Sequence, residues 1–258
     1  MFVDLADTLI HCVVEGPAEA PPVLLLHSIG TTHDIWEAQA QALLARRFRV
    51  IRPDMRGHGM SGVTTGGYTM SGLARDAVAM LDALGISAAH VAGISIGGRI
   101  AQQMAADAPE RVRSLCLLNT ALEFPTPAAW DARIEEVLRE GTCCLADTVM
   151  PRWVIDTALP SSRGLRQMLL RTDRHGFAGA CAALRDAGAA ELAGRIDTPC
   201  GIIAGELDPA VPAEAVARLR AAIPGASLTT IPGAGHITTY EFADAVTVAM
   251  LAHFERLG

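Results

Sequence analysis

Short, uninterrupted apolar runs alternate with stretches of helical period through most of this chain, and few folds satisfy that alternation. The run "PPVLLLHS" has the length and continuity of a strand buried on both faces, and "FRVIRPD", "HVAGIS", "VRSLCLLNT", "CGIIAGELD" and "SLTTIPGAGH" read as further strands. Between them "DIWEAQAQALLARR", "MSGLARDAVAMLDALG", "IGGRIAQQMAADA" and "AEAVARLRAAI" repeat apolar residues at helical spacing, and "FADAVTVAMLAHFERL" predicts a last amphipathic helix. Strands joined through helices make right-handed crossovers, which gives a mostly parallel sheet with helices on both faces. Two further β-rich runs at the start, "FVDLA" and "LIHCVVEG", are separated by Asp7 and Thr8 and predict a hairpin.

The rhythm breaks from about Leu122 to Ala190, where several helical stretches follow one another without a convincing strand. The break reads as a helical cap, residues 122–190, inserted into a core made of residues 1–121 and 191–258. Half of the 258 residues are hydrophobic, which suits one large α/β core with an insertion as well as it suits two domains. A net charge of -7 argues against a nucleic-acid or anionic-membrane partner, since either needs a basic face. All 21 basic residues are arginine, which excludes lysine Schiff-base and phosphate-loop chemistry. The first residues carry acids where a signal peptide carries positive charge, and no apolar run reaches the length of a membrane span; both predict a cytoplasmic protein. Cys12, Cys116, Cys143, Cys144, Cys181 and Cys200 show no metal-ligand spacing and read as reduced and mostly buried.

One of the strand-to-helix junctions carries chemistry. Gly93-Ile94-Ser95-Ile96-Gly97 has the spacing G-x-S-x-G, with a strand before it and a helix after it. A serine at so sharp a turn sits in a strained backbone conformation, and its neighbours two residues away must lack side chains. The turn lifts the hydroxyl above the sheet and sets the N–H of Ile96 at a helix N-terminus, where it can stabilise an oxyanion.

A serine hydroxyl attacks only when a base takes its proton and a third group orients that base. With this elbow the chain order is serine, acid, histidine. Of eight histidines only His236 and His253 come late enough, and His253 falls within the last helix pattern. His236 follows "IPGAG" at the end of the last strand and is the candidate base. The acid should leave the preceding strand, where "AGELDPAVP" offers Glu206 and Asp208. Asp208, before Pro209, stands at the strand-to-turn junction and is preferred. The second oxyanion donor should come from the loop "LLHSIGTTHDIW", with Ile29 the candidate and Gly30 letting the loop fold over. His27 and His33 lack the H-x-H-x-D-H pattern of a metal-dependent lactonase, so packing or loop ordering is their expected role and no metal is expected.

The elbow, "RPDMRGHGMS", "GELDPAVP" and "GAGH" together resemble the α/β-hydrolase superfamily over nearly the whole chain. More closely, "HSIGTTHDIWEAQ", "YTMSGLARDAVAMLDALGISAAHVAGISIGG", "APERVRSLCLLNTA", "AAWDARIEEVLREG" and "CAALRDA" resemble the 3-oxoadipate enol-lactonases. The resemblance implies the α/β-hydrolase fold and opening of an unsaturated lactone bearing an acidic side chain by a serine triad, with no cofactor. It also makes Trp130 and Arg133 the first candidates for substrate contact. Other carboxylesterases, lactonases or perhydrolases share the fold, and so do non-hydrolytic ligand sensors.

The chain departs from that pattern at three places: His27-Ser28 where Asn-Ser is expected, Ile96 where methionine is frequent, and "HITTYEFADAV" in place of a polar, proline-containing run. The first two leave the backbone donors intact, while the third lies beside the base. A separate charge signal agrees with an anionic small-molecule substrate. Arg152, Arg163, Arg166, Arg171 and Arg174 outnumber Asp156 and Asp173 in one stretch of the cap. One well-placed Arg–carboxylate hydrogen bond is worth roughly 1.5–3 kcal/mol, about tenfold to a hundredfold in selectivity.

Overall fold

The computed structural model describes residues 1–124, 126–188, 192 and 194–256. Its strands are β1 (Phe2–Asp4), β2 (Leu9–Glu15), β3 (Pro22–Leu26), β4 (Arg49–Pro53), β5 (Ala89–Ile94), β6 (Val112–Leu118), β7 (Cys200–Gly205) and β8 (Ser227–Ile231). They form one sheet in the order β1-β2-β4-β3-β5-β6-β7-β8. The β1–β2 hairpin is antiparallel and joins β4 antiparallel; every later pairing is parallel. All residues of β5 and β7 are buried, as a sheet covered on both faces requires. This is the mostly parallel sheet that the alternation predicts, in the α/β-hydrolase arrangement that the resemblance implies.

The helices are α1 (Glu37–Ala45), α2 (Met70–Ala83), α3 (Ile96–Asp107), α4 (Pro127–Glu140), α5 (Ala146–Trp153), α6 (Pro160–Arg171), α7 (Arg174–Arg185), α8 (Ala213–Ala222), α9 (Thr238–Glu241) and α10 (Ala243–Phe254). Local chemistry explains their limits. Thr69 caps α2 by accepting the N–H of Gly72, a bond worth about 1 kcal/mol, and Met70, Leu73, Ala74, Ala77, Met80 and Leu81 turn one stripe inward. Helices α4 to α7 fill the interval between β6 and β7, with no strand among the described residues. The expected inner boundary of the cap, Ala190 and Glu191, lies outside the described residues.

One expectation needs correction and one element was not foreseen. The last helix is not amphipathic: it buries Val246, Met250, His253 and Phe254 yet leaves Val248 69% exposed, because it is apolar around most of its circumference. The extra turn α9, directly after His236, has no periodic signal in so short a stretch. The six cysteines are free, four of them buried, and burial pushes the thiols of Cys181 and Cys200 up to about 12. No described helix is long and apolar enough to cross a membrane.

Candidate active site

Strand β5 ends at Ile94 and α3 begins at Ile96, so Ser95 alone makes the turn, at φ 58° and ψ -120°. That conformation costs a non-glycine residue roughly 1–3 kcal/mol and persists only where the surroundings over-determine it. Here they do. The Ser95 N–H donates to the Leu118 carbonyl at 3.0 Å, while the Ser95 carbonyl accepts from Thr120 Oγ1 at 2.7 Å and from the Arg99 N–H at 3.1 Å. A Cβ on Gly93 would collide with the carbonyl oxygen of Gly97, and one on Gly97 with the carbonyl oxygen of Leu26. Backbone packs on backbone at both positions, which is why the motif carries glycine there.

His236 leaves the carboxyl end of β8 and Asp208 that of β7, and the sheet brings them together. His236 Nδ1 donates to Asp208 Oδ2 at 2.8 Å, both side chains almost fully buried. Asp208 Oδ2 also accepts from Asn119 Nδ2 at 2.9 Å, and Oδ1 accepts the N–H groups of Ala210 and Val211 at 2.8 and 3.0 Å. Burial alone would raise the Asp208 pKa; His236, Asn119 and the Val211 N–H outweigh it and hold the carboxyl below its ordinary range. With Nδ1 engaged, Nε2 is the ring nitrogen left for the cavity that His236 and Ser95 both line. Glu206, the other acid considered, is exposed and accepts the N–H of Gly233 at 2.8 Å, fastening the turn that leads to His236.

The cavity measures about 140 Å³ and is walled by Ile29 from the loop after β3, by Trp130 and Arg133 from α4, and by Arg152, Trp153 and Phe177 from later cap helices. Arg133 lies over the Trp130 ring at 5.2 Å. Among the described residues neither Arg133 nor Arg152 pairs with a carboxylate, and the Trp130 indole N–H has no acceptor. The other four arginines of the stretch from Arg152 to Arg174 sit elsewhere: Arg166 pairs with Asp147, Arg174 donates to the carbonyls of Leu138 and Arg139, and Arg163 and Arg171 are exposed.

His27 explains how the loop carrying Ile29 is held. Its Nε2 accepts the Met55 N–H at 2.8 Å, so Nδ1 bears the proton and donates to the Ser28 carbonyl at 2.8 Å. Burial keeps the ring neutral by lowering its pKa. Thr31 Oγ1 donates to the same carbonyl at 2.8 Å. With the Ser28 carbonyl pinned, the Ile29 N–H of that trans peptide points the opposite way, and Ile29 lines the cavity. Asp54 receives the Nδ1 atoms of His11 and His33, each at 2.9 Å, and the N–H groups of His33 and Met60. Although this trio brings three ligand atoms within 4.8 Å of one another, those atoms are engaged among themselves and tie the loop after β3 to β2 and the loop after β4.

A family model for the α/β hydrolase fold matches residues 21–139. The chain is 36% identical over 213 residues to 3-oxoadipate enol-lactonase 1 of Acinetobacter baylyi, covering 81% of this chain and 79% of that protein. Among solved structures it is similar to the enol-lactonase of Burkholderia xenovorans LB400, with a TM-score of 0.95 at 32% identity over 99% of this chain and 100% of that one. A hydrolase from Pseudomonas aeruginosa PA01 is similar with a TM-score of 0.94 at 38% identity, over 98% and 97%. The chain belongs to the α/β hydrolases.

Three parts of the hydrolase's site escape a reading of motifs. Asn119, at φ 43°, bridges Asp208, the Gly235 carbonyl and, through Oδ1, the Thr238 hydroxyl. Asparagine at a strand end is the one available signal, since it tolerates positive φ better than most residues. Arg152 was one of five equivalent cap arginines until folding set it at the cavity wall. The run after His236 also finds its partners: Gln39 Nε2 donates to the carbonyls of Thr239 and Ala243, and Glu241 accepts backbone N–H groups of the cap.

Proposed function

We propose that this hydrolase opens a small acidic lactone by a serine acyl-enzyme route, with 3-oxoadipate enol-lactone, hydrolysed to 3-oxoadipate in aromatic-compound degradation, as the substrate. It would act in the cytoplasm, where its cysteines stay reduced. The observation that carries the reading is one small cavity shared by Ser95, by a histidine backed by a buried carboxylate, and by two arginines without carboxylate partners among the described residues. Similarity to two enol-lactonases supports it.

Helices α4 to α7, within residues 122–190, form the cap and present Trp130, Arg133 and Arg152 to the substrate carboxylate. Asp208 orients His236, whose Nε2 takes the Ser95 proton as Oγ bonds to the lactone carbonyl carbon. The N–H groups of Ile29 and Ile96, one on the pinned loop and one at the start of α3, stabilise the oxyanion. Collapse breaks the ring C–O bond; the enolate leaves, takes the proton from His236 and becomes the 3-oxo group. Water then gives a proton to His236 and its oxygen to the acyl carbon, and the proton returns to Ser95 as the acid departs. The atoms balance with water as the one co-reactant, so no cofactor is required.

The test is kcat/KM for 3-oxoadipate enol-lactone, a neutral lactone and p-nitrophenyl acetate, with wild type and Ser95→Ala. The reading expects the acidic lactone to lead by orders of magnitude and the variant to lose at least about 10^4 in kcat. A variant keeping a tenth of the wild-type rate removes Ser95 as nucleophile. Equal or faster turnover of the neutral substrates keeps the triad and removes the acidic lactone.

A further inference from the structure

The segment that departs most from the enol-lactonase pattern, "HITTYEF", turns out to be where the catalytic turn and the cap exchange hydrogen bonds. Helix α5 ends at Trp153, whose carbonyl finds no partner within the helix. It accepts instead the N–H of His236 at 3.1 Å and of Ile237 at 2.8 Å. In return, the next cap residues give their N–H groups to the turn. The Ile155 N–H meets both carboxylate oxygens of Glu241 at 3.0 and 2.9 Å, and the Asp156 N–H meets Oε1 at 2.9 Å. Both donors lie on exposed residues just past the helix end, and the Glu241 carboxylate takes the place of water on them.

His236 is thereby held from two sides. The core holds its ring through Asp208, and the cap holds its backbone through the Trp153 carbonyl. Trp153 is also a cavity wall, so the seat of the cap and the place of the base share one residue. Glu241 suits the task by geometry: one carboxylate accepts from two successive N–H groups. A glutamine has one acceptor oxygen, and its amide would set N–H against N–H; alanine has none.

Resting on the reading of His236 as the general base, we propose that Glu241 is a positioning residue: it seats residues 153–156 of the cap on the His236 turn and so keeps the base in register with Ser95. The cavity is complete, and the base in place, when that exchange is intact. Selection of the acidic substrate and proton transfer are then coupled through backbone groups rather than through a side chain that touches substrate.

The experiment compares Glu241→Ala and Glu241→Gln with wild type, His236→Ala and Ser95→Ala on p-nitrophenyl acetate, a substrate with no carboxylate for the arginines. It records kcat, KM, the pH profile of kcat/KM and the thermal midpoint. Misplacing a catalytic group by an ångström costs up to about a hundredfold in rate. The expected result for Glu241→Ala is a tenfold to hundredfold fall in kcat with a displaced acidic limb, at temperatures where it is folded, and a smaller fall in the same direction for Glu241→Gln. Wild-type kcat and pH profile in Glu241→Gln, or in a folded Glu241→Ala with only a lower midpoint or raised KM, overturns the proposal. An active His236→Ala would instead overturn the assignment of the base, so the two failures are distinct.

Discussion

The carboxyl ends of β5, β7 and β8 and the helices α4, α5 and α7 face the same cavity, yet they are built in opposite ways. On the sheet side both carboxylate oxygens of Asp208 are matched. Asp208 accepts four hydrogen bonds, and Ser95 is held in a positive-φ turn by three bonds to its backbone groups and by glycines that admit no Cβ. On the cap side Arg133 and Arg152 meet the cavity without carboxylate partners among the described residues, and the indole N–H of Trp130 has no acceptor. The sheet side is over-determined, as a group that must not move requires; the cap side leaves donors open for a ligand to satisfy. On the proposed reading, reaction class belongs to the first region and selectivity to the second.

The sharpest way to break that contrast is to add one methyl group to the elbow. Gly97→Ala drives a Cβ into the Leu26 carbonyl, which the sheet cannot move aside. We expect a loss of about 3 kcal/mol in stability together with hydrolysis, read by denaturant unfolding and by ester turnover. A stable, active variant would show the elbow to be loosely built.

A somewhat smaller effect, confined to selectivity, is expected from Arg133→Met. This change should lower kcat/KM for an acidic lactone by about tenfold to a hundredfold and leave p-nitrophenyl acetate within about twofold. An equal loss on both substrates would mean that Arg133 supports the fold rather than reads a carboxylate.

Acid should loosen the core before the cap helices, because the buried neutral histidines lie in the loop after β4 and in α10. Burial, helped by His27 nearby, lowers the pKa of His58 from 6.5 to about 3, and burial, with Arg256, lowers that of His253 to about 4. The unfolded chain therefore binds protons before the folded one, and stability that is complete above pH 6.5 declines as pH falls towards 4. The described cap helices carry one histidine, His175, and it is exposed. Thermal midpoints between pH 7.5 and 5 should fall, and His253→Gln should flatten the slope; an unchanged slope would move the sensitivity elsewhere.

The smallest change reverses the sign of the first. Gly164 lies within α6, and a Cβ there would meet nothing closer than the Tyr240 hydroxyl at 3.9 Å. Gly164→Ala should stabilise the protein by up to about 1 kcal/mol through helix propensity, measured by the same unfolding titration. Destabilisation would show that the cap is packed as tightly as the elbow.

By itself the sequence determined the order of strands and helices, the interval taken up by helices between β6 and β7, and the identity of Ser95, Asp208 and His236 as the residues to watch. The reason is that these are local facts: apolar period marks an element, and a glycine-flanked serine between strand and helix marks a turn that few other residues can make. Tertiary structure decided the rest. Choosing Asp208 over Glu206 rested on one turn position, whereas the fold shows one carboxylate on the imidazole and the other on Gly233. Five cap arginines look alike in one dimension, and only packing separates Arg152 at the cavity from four that meet solvent, Asp147 or carbonyls. Asn119, far in sequence from both, joins Asp208 to Thr238, and Glu241 fastens a cap segment more than eighty residues before it. Such contacts depend on which strand ends the sheet sets side by side, and a hydrogen bond across 86 residues leaves no period or spacing in the chain to be read.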